Sequence, residues 1–593
     1  MKTAKTKPKD ALPRWDLSDL VSDPRQIPQK LGTCAAEAKA FKKKYEGKLE
    51  KLSPAAFGQA IADYERLSAK IGRVGGYAHL DRETKLDDPK AGQLYQTVME
   101  RATDISTDTL FFTLEINKIP DAVLKKKLSD KTARRYKPWL DAVRAFRPHQ
   151  LSDDIEKTLH ERDVTGHAAW VRLYDETCAR LRFDVRGKSL TLADTLHLMM
   201  SRDGDRRKAA ALALEKGLEE NIQTFSLILN TIAKEGDIDD RQRKFKSPIA
   251  SRNLENQVED EVVEALAHAV RSEYKNLAHR YYKLKAKWLG VKKLDHWDRN
   301  APLPFAADRK IPWREAKQDV LAAYGGFHPD MERIAAKFFD GNWIDAAPRA
   351  GKDSGAFSAS TVPEVHPYIL MNYRGTVDDV MTLAHELGHG IHQTLAAPQG
   401  HLMCDTPLTL AETASVFGEM LAFRSFLKRE TNPKTRAAVI AEKVEDMLNT
   451  VVRQIAFHTF ETGVHAARKE GELTPDQIGE IWMKAMQESL GPAFSFTPGY
   501  RHFWTYVSHF YQSPFYVYAY AFGDCLVNAL YAVYQDSEKG FADKYLELLK
   551  AGGTKRYDAL LAPFGLDARD KRFWKKGLSV ISGLIDELEE YGP

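Results

Sequence analysis

Paired cysteines are missing from this 593-residue chain: Cys34, Cys178, Cys404 and Cys525 are scattered and include no C-x-x-C pair. That argues against a disulfide framework and a thiolate zinc site, and it fits a reducing, cytoplasmic setting. Long uninterrupted apolar runs are missing too. The most apolar long stretch, Val517 to Tyr534, contains Asp524 and Asn528 and reads as a buried helix, so no membrane span is expected. MKTAKTKPKD at the N-terminus carries four lysines with no apolar segment behind it, so it reads as a basic tail and not a secretory signal. Nor is there a large excess of one charge. A formal net charge of +4 on so long a chain points to neither nucleic acid nor a membrane surface. No repeat, low-complexity tract or long polar linker is evident, which favours a compact body over a string of modules. No feature specifies an oligomeric state.

What is present is ordinary for a globular protein, 43% hydrophobic and 29% charged, in a chain long enough to bury a deep site. Charged runs with spaced apolar residues make the fold class mainly α. Residues 1–192 read as an N-terminal helical region with no chemistry of its own, and 193–593 as the part that carries it. Near the boundary, alternation around Arg186-Gly187 predicts a strand or hairpin over Leu181 to Leu192. His279 to Lys293 interleaves basic and aromatic residues. Because Lys283 and Lys287 share one helical face and Leu284 and Trp288 another, a solvated amphipathic helix explains it better than a nucleic-acid surface.

The chemistry centres on TVDDVMTLAHELGHGIHQ, Thr376 to Gln393. Thr376 can cap a helix, with Asp379 three residues on completing a box-like pair. Val380, Leu383, Ala384, Leu387 and Ile391 form an apolar stripe, and at about 100° per residue His385 and His389 fall roughly opposite it. Histidines four apart sit one turn from each other, so their imidazoles can converge on one ion, with Glu386 on the flank as general base. This H-E-x-x-H spacing is the metallopeptidase signature. HPYILMNYRG, His366 to Gly375, just before the helix, is rich in β-formers. It reads either as a strand with an open edge that grips a peptide backbone or as an ordinary core strand.

A catalytic zinc takes three protein ligands and keeps one position for water. His392 lies seven residues past His385, roughly 10 Å along the axis, so it reads as a hydrogen-bonding neighbour and not a ligand. On the next helical segment, Pro407 to Leu427, Glu412, Ser415 and Glu419 share a face. A crossing helix could deliver Glu412 to the metal and leave Glu419 as a partner for a histidine, although a lone helical glutamate is ordinarily solvated. Donors for the oxyanion are sought in SHFYQSPFYVYAYAFG, Ser508 to Gly523. Ser513-Pro514 reads as a helix start, which puts Tyr516 and Tyr520 on one face with His509 in the preceding turn; Tyr511 and Tyr518 are the substitutes.

Taken in order, PRWDLSDL, RYYKLKAKWLG, DHWDRNAPLP, GKDSGAFS, PYILMNYRGTVDDVMTLAHELGHGIH, LAETASVFGE and HFYQSPFYVYAYAFG resemble the thimet oligopeptidase superfamily, most closely its oligoendopeptidase F branch. The resemblance implies a mostly helical, two-lobed zincin-type metallopeptidase, with a small β-sheet beside the active-site helix and one zinc deep in a substrate channel that admits short unfolded peptides. It assigns the metal to His385, His389 and Glu412 and catalysis to Glu386, with His509 and nearby tyrosines as substrate or transition-state contacts. The tyrosine spacing after His509 departs from that of the thimet enzymes. A zinc carboxypeptidase on a related helical fold and a non-catalytic peptide-binding protein are the alternatives.

Overall fold

A computed structural model describes residues 12–305, 310–536 and 539–591. The basic N-terminal stretch lies outside them. Helices dominate, with three small sheets among the described residues. The chain separates into two compact units, each assembled from three stretches: Met1–Arg147, Asp308–Arg429 and Tyr534–Gly565 in the first, and Pro148–Ala307, Glu430–Val533 and Leu566–Pro593 in the second. The sequence boundary at 192, drawn at the expected hairpin, falls within the second unit.

In the first unit the long helix Pro54–Glu83 begins where the Ser53 hydroxyl accepts the Ala56 N–H at 3.3 Å, with proline in the first turn. Its buried face, including Phe57 and Ile61, packs with Phe41 and Phe112 of neighbouring helices. A three-stranded sheet lies against the helix that carries the H-E-x-x-H motif. Its order is Ile344–Asp345, Tyr368–Leu370, Phe357–Ala359. The run at 366–375 is therefore a strand only over Tyr368–Leu370, and it is the central one, parallel to one neighbour and antiparallel to the other. Both its edges are paired, so the core-strand reading applies and the open-edge reading of this run does not. Tyr368, Ile369 and Leu370 are all fully buried, the pattern of a strand covered on both faces.

The second unit holds the hairpin expected near residue 187. Phe183–Val185 pairs with Lys188–Leu190 through Arg186 and Gly187, whose φ values of 54° and 81° give the left-handed two-residue turn that suits strand twist. In the helix Arg280–Trp288, Lys283 and Lys287 are exposed while Leu284 and Trp288 are buried, as their spacing requires. The core gathers Phe457, Phe460, Trp482 and Trp504. The apolar stretch after Val517 forms the buried helix Tyr518–Asp536, and no helix among the described residues is long and apolar enough to cross a membrane.

Candidate active site

The motif helix runs Val377–Ala396. The Thr376 hydroxyl accepts the Asp379 N–H at 3.1 Å, and Asp379 Oδ2 accepts the Thr376 N–H at 2.8 Å, closing the capping box. Such a cap contributes about 1 kcal/mol and sets where the helix begins, hence where its faces point. Val380, Leu383, Ala384, Leu387 and Ile391 are buried as the stripe predicts. His385 and His389 remain half-buried, with ring centroids 5.0 Å apart. Glu386, between them, is buried, and its Oε2 has no hydrogen-bond partner.

The single helix expected over Pro407 to Leu427 is instead two pieces, Leu408–Ala411 and Thr413–Arg429, with Glu412 at the junction. Ser415 Oγ donates to the Glu412 carbonyl at 3.1 Å and to its Oε2 at 2.7 Å, a local side-chain bond of the kind that competes with helix continuation. The Tyr545 hydroxyl donates to the Thr413 carbonyl at 2.7 Å and buttresses the same turn. The two helices press together at Gly388, where any Cβ would overlap the Ala414 carbonyl and the Ser415 backbone. Only glycine permits that approach.

The approach brings Glu412 Oε2 to 3.3 Å from both His385 Nε2 and His389 Nε2. The three residues each offer a ligand atom within 4.8 Å of the others, a group that could hold a metal ion. The donor set suits a divalent cation. Glu386 and Glu419 are buried and Glu412 is half-buried, so with neutral imidazoles the cluster gathers three carboxylates, a charge that a dication offsets. Glu419 Oε2 lies 3.1 Å from His385 Nδ1. An Nδ1–H donated to Glu419 leaves the Nε2 lone pair facing the ligand cluster.

The electrostatics follow this crowding. Burial pushes His385 down, but bonds to Glu412 and Glu419 outweigh it and hold the imidazole well above its ordinary pKa. Burial pushes Glu412 up, whereas His385 and His389 pull it well below the carboxylate range. Glu386 is raised by burial, with His385 and His389 opposing. His392 is buried outside the cluster, and burial lowers its pKa to about 4. Among the described residues it makes no hydrogen bond, so the bonding role read from its position is not seen. Its imidazole is buried and neutral.

His509, Tyr516 and Tyr520 belong to the second unit. His509 Nε2 lies 3.2 Å from the Tyr520 hydroxyl, and the rings of Tyr516 and Tyr520 are 5.2 Å apart. The helix expected to start at Ser513-Pro514 does not. His509–Gln512 ends before it and the next helix starts at Tyr518, because Phe515 adopts φ 59°, a left-handed conformation that no helix accommodates. Tyr516 thus reaches Tyr520 across a turn and not along a helical face. Glu461 Oε1 accepts the Phe515 N–H at 2.9 Å and anchors that turn. Glu461, 54 residues before Phe515, carries no sequence signal for this role. Of the substitutes, Tyr511 is fully buried and stacks on Tyr174 at 4.0 Å, and the buried Tyr518 hydroxyl accepts from Asn256 at 2.8 Å.

Comparison with known proteins decides the family. The model of peptidase family M3 matches residues 197–580, and that described as Oligopeptidase F matches 115–183. The chain belongs to peptidase family M3. Within that family it falls in the oligoendopeptidase F branch, and it is a metalloendopeptidase. It is 26% identical to the Oligoendopeptidase F homolog of Borreliella burgdorferi, over 97% of this chain and 98% of the relative. It is 26% identical to Oligopeptidase PepF of Bacillus subtilis, over 92% and 82%. The fold of this M3 peptidase matches that of oligoendopeptidase-F from Enterococcus faecium with a TM-score of 0.75 at 22% identity, covering 96% of this chain and 99% of the other.

Proposed function

We propose that this M3 peptidase is a zinc-dependent oligoendopeptidase that cuts internal bonds of short, unstructured peptides, with one zinc per chain, in the cytoplasm. The observation that carries the reading is the convergence of His385, His389 and Glu412 on one point, with the Glu386 carboxylate between the histidines on the same helix. Two imidazoles and a carboxylate are a catalytic zinc ligand set with one position left open. Zinc held there supplies Lewis acidity, polarising a peptide carbonyl and acidifying water. Glu386 takes the proton from the attacking water and passes it to the amine nitrogen as the C–N bond breaks. Glu419 keeps the His385 ring in register and Ser415 orients the Glu412 carboxylate.

To His509, Tyr516 and Tyr520 we assign hydrogen bonds to the substrate or to the oxyanion, supported by the resemblance and by their clustering around one another. Phe357–Ala359, the outer strand beside Tyr368–Leu370, replaces the interior strand as the candidate to grip an extended backbone. The preference for short peptides is supported by the oligopeptidase names of the relatives. The cytoplasmic setting is supported by four free cysteines.

Glu386→Gln tests the reading. About one zinc per chain should be found in both proteins, while kcat on a quenched peptide falls about 10²–10⁴-fold, the usual weight of a general base. Full turnover by the variant overturns the assignment of the base. Mass spectrometry of the products should show internal cleavage; stepwise release of C-terminal residues would make the enzyme a carboxypeptidase.

A further inference from the structure

The second unit contains a small, partly open cavity, with room for about one water-sized particle, whose charge the peptidase reading does not use. It is walled by the helices Arg280–Trp288, Pro433–Thr450, Val452–Glu470 and Pro475–Leu490, and by the 3-10 stretch Pro498–Tyr506. Arg299 and Arg453 line it, with Tyr282, Tyr500 and Ser489. Arg453 Nη2 donates to the Tyr506 hydroxyl at 2.9 Å, and its guanidinium sits 4.9 Å from the Phe457 ring centroid. Arg299 Nη1 donates to Asn449 Oδ1 at 2.7 Å. These partners are neutral. Among the described residues no carboxylate pairs with either arginine.

Glu445, on the helix that contributes Leu448 to the wall, is already committed. Its Oε1 accepts from Tyr281 at 2.6 Å and from Lys285 Nζ at 2.5 Å. The phenols do not supply the missing charge, because burial pushes Tyr282 and Tyr500 up to about 12 and keeps them neutral donors. Burial, and then the charge of Arg299, lowers the pKa of Arg453. Two half-buried guanidiniums of like sign therefore share one wall with hydroxyl donors and no counter-charge, and partly desolvated charges are costly until paired.

We propose that this cavity is a binding site for a small monatomic anion, chloride, held between Arg299 and Arg453 with Tyr282 and Tyr500 as further donors. The ion offsets the like charges and ties Arg280–Trp288 and Val452–Glu470 to Pro498–Tyr506. That last stretch leads directly toward His509, so occupancy stiffens the segment that carries it. Binding itself does not depend on the proposed function.

The test uses the full chain in gluconate at fixed ionic strength, with gluconate replaced stepwise by chloride, bromide or phosphate. The thermal midpoint should rise and saturate, as for a ligand that binds only the folded state. Bromide-soaked crystals should show an anomalous peak in the cavity. Arg299→Gln should weaken the apparent affinity about tenfold or more, the weight of one charge-assisted hydrogen bond, and Arg453→Gln should do the same. A saturating halide response assigns chloride, and a response to phosphate alone overturns the proposal. A midpoint indifferent to the anion, or a saturating response unchanged in Arg299→Gln with no ion in the cavity, overturns the proposal. If a variant does not fold, the wild-type bromide map decides.

Discussion

In the first unit His385 and His389 project from one capped helix whose register alone sets them a turn apart. In the second, His509, Tyr516 and Tyr520 come from two helices and the turn between them, and that turn is held by Glu461 from a different helix. One group is ordered by contacts within 20 residues. The other depends on a single carboxylate 54 positions away from the backbone N–H it anchors. Local geometry tolerates change in the surrounding packing, whereas a turn with φ 59° at Phe515 persists only while its anchor does.

The comparison breaks most sharply at Tyr520. Tyr520→Phe should lower kcat about 10²-fold with little change in KM if the hydroxyl serves the transition state, as steady-state kinetics on a quenched peptide would show. Unchanged kcat would remove Tyr520 from the group. A smaller effect is expected on the helix-borne side. Glu419→Gln, which weakens the acceptor on His385 Nδ1, should reduce metal affinity about 10–100-fold in competition with a chelator, with the ligands themselves intact.

The smallest effect is expected in the pH dependence of stability. Burial raises Glu461 to about 8 from an ordinary 4.5, so the folded chain binds this proton more tightly than the unfolded one. Its contribution is complete below about 4.5 and is lost as pH climbs through about 8, on the order of a few kcal/mol. Denaturation of the wild type across that window should show the slope, and Glu461→Gln, which keeps an oxygen for the Phe515 N–H, should flatten it. Equal slopes would mean that Glu461 titrates elsewhere.

Much of the geometry of the His385, His389 and Glu412 group was legible because it is local. A cap at Thr376, an apolar stripe and an i,i+4 pair of histidines are consequences of helix periodicity, and the resemblance supplied Glu412. The break at Glu412 was not legible, since it arises where Ser415 and Tyr545 compete for the backbone and Gly388 lets two helices meet. The strand at 366–375 was recognised by its β-formers, but whether its edges are open depends on Ile344–Asp345 and Phe357–Ala359, which no local pattern ties to it.

By itself the sequence determined that this chain is mainly helical and that two imidazoles share one helical face, because rise and rotation per residue are properties of the backbone. Tertiary structure alone decided that Tyr516 and Tyr520, and not Tyr511 and Tyr518, stand with His509, and that two arginines 154 residues apart line one cavity. Those choices depend on which distant helices pack together, and burial is a property of the packed whole.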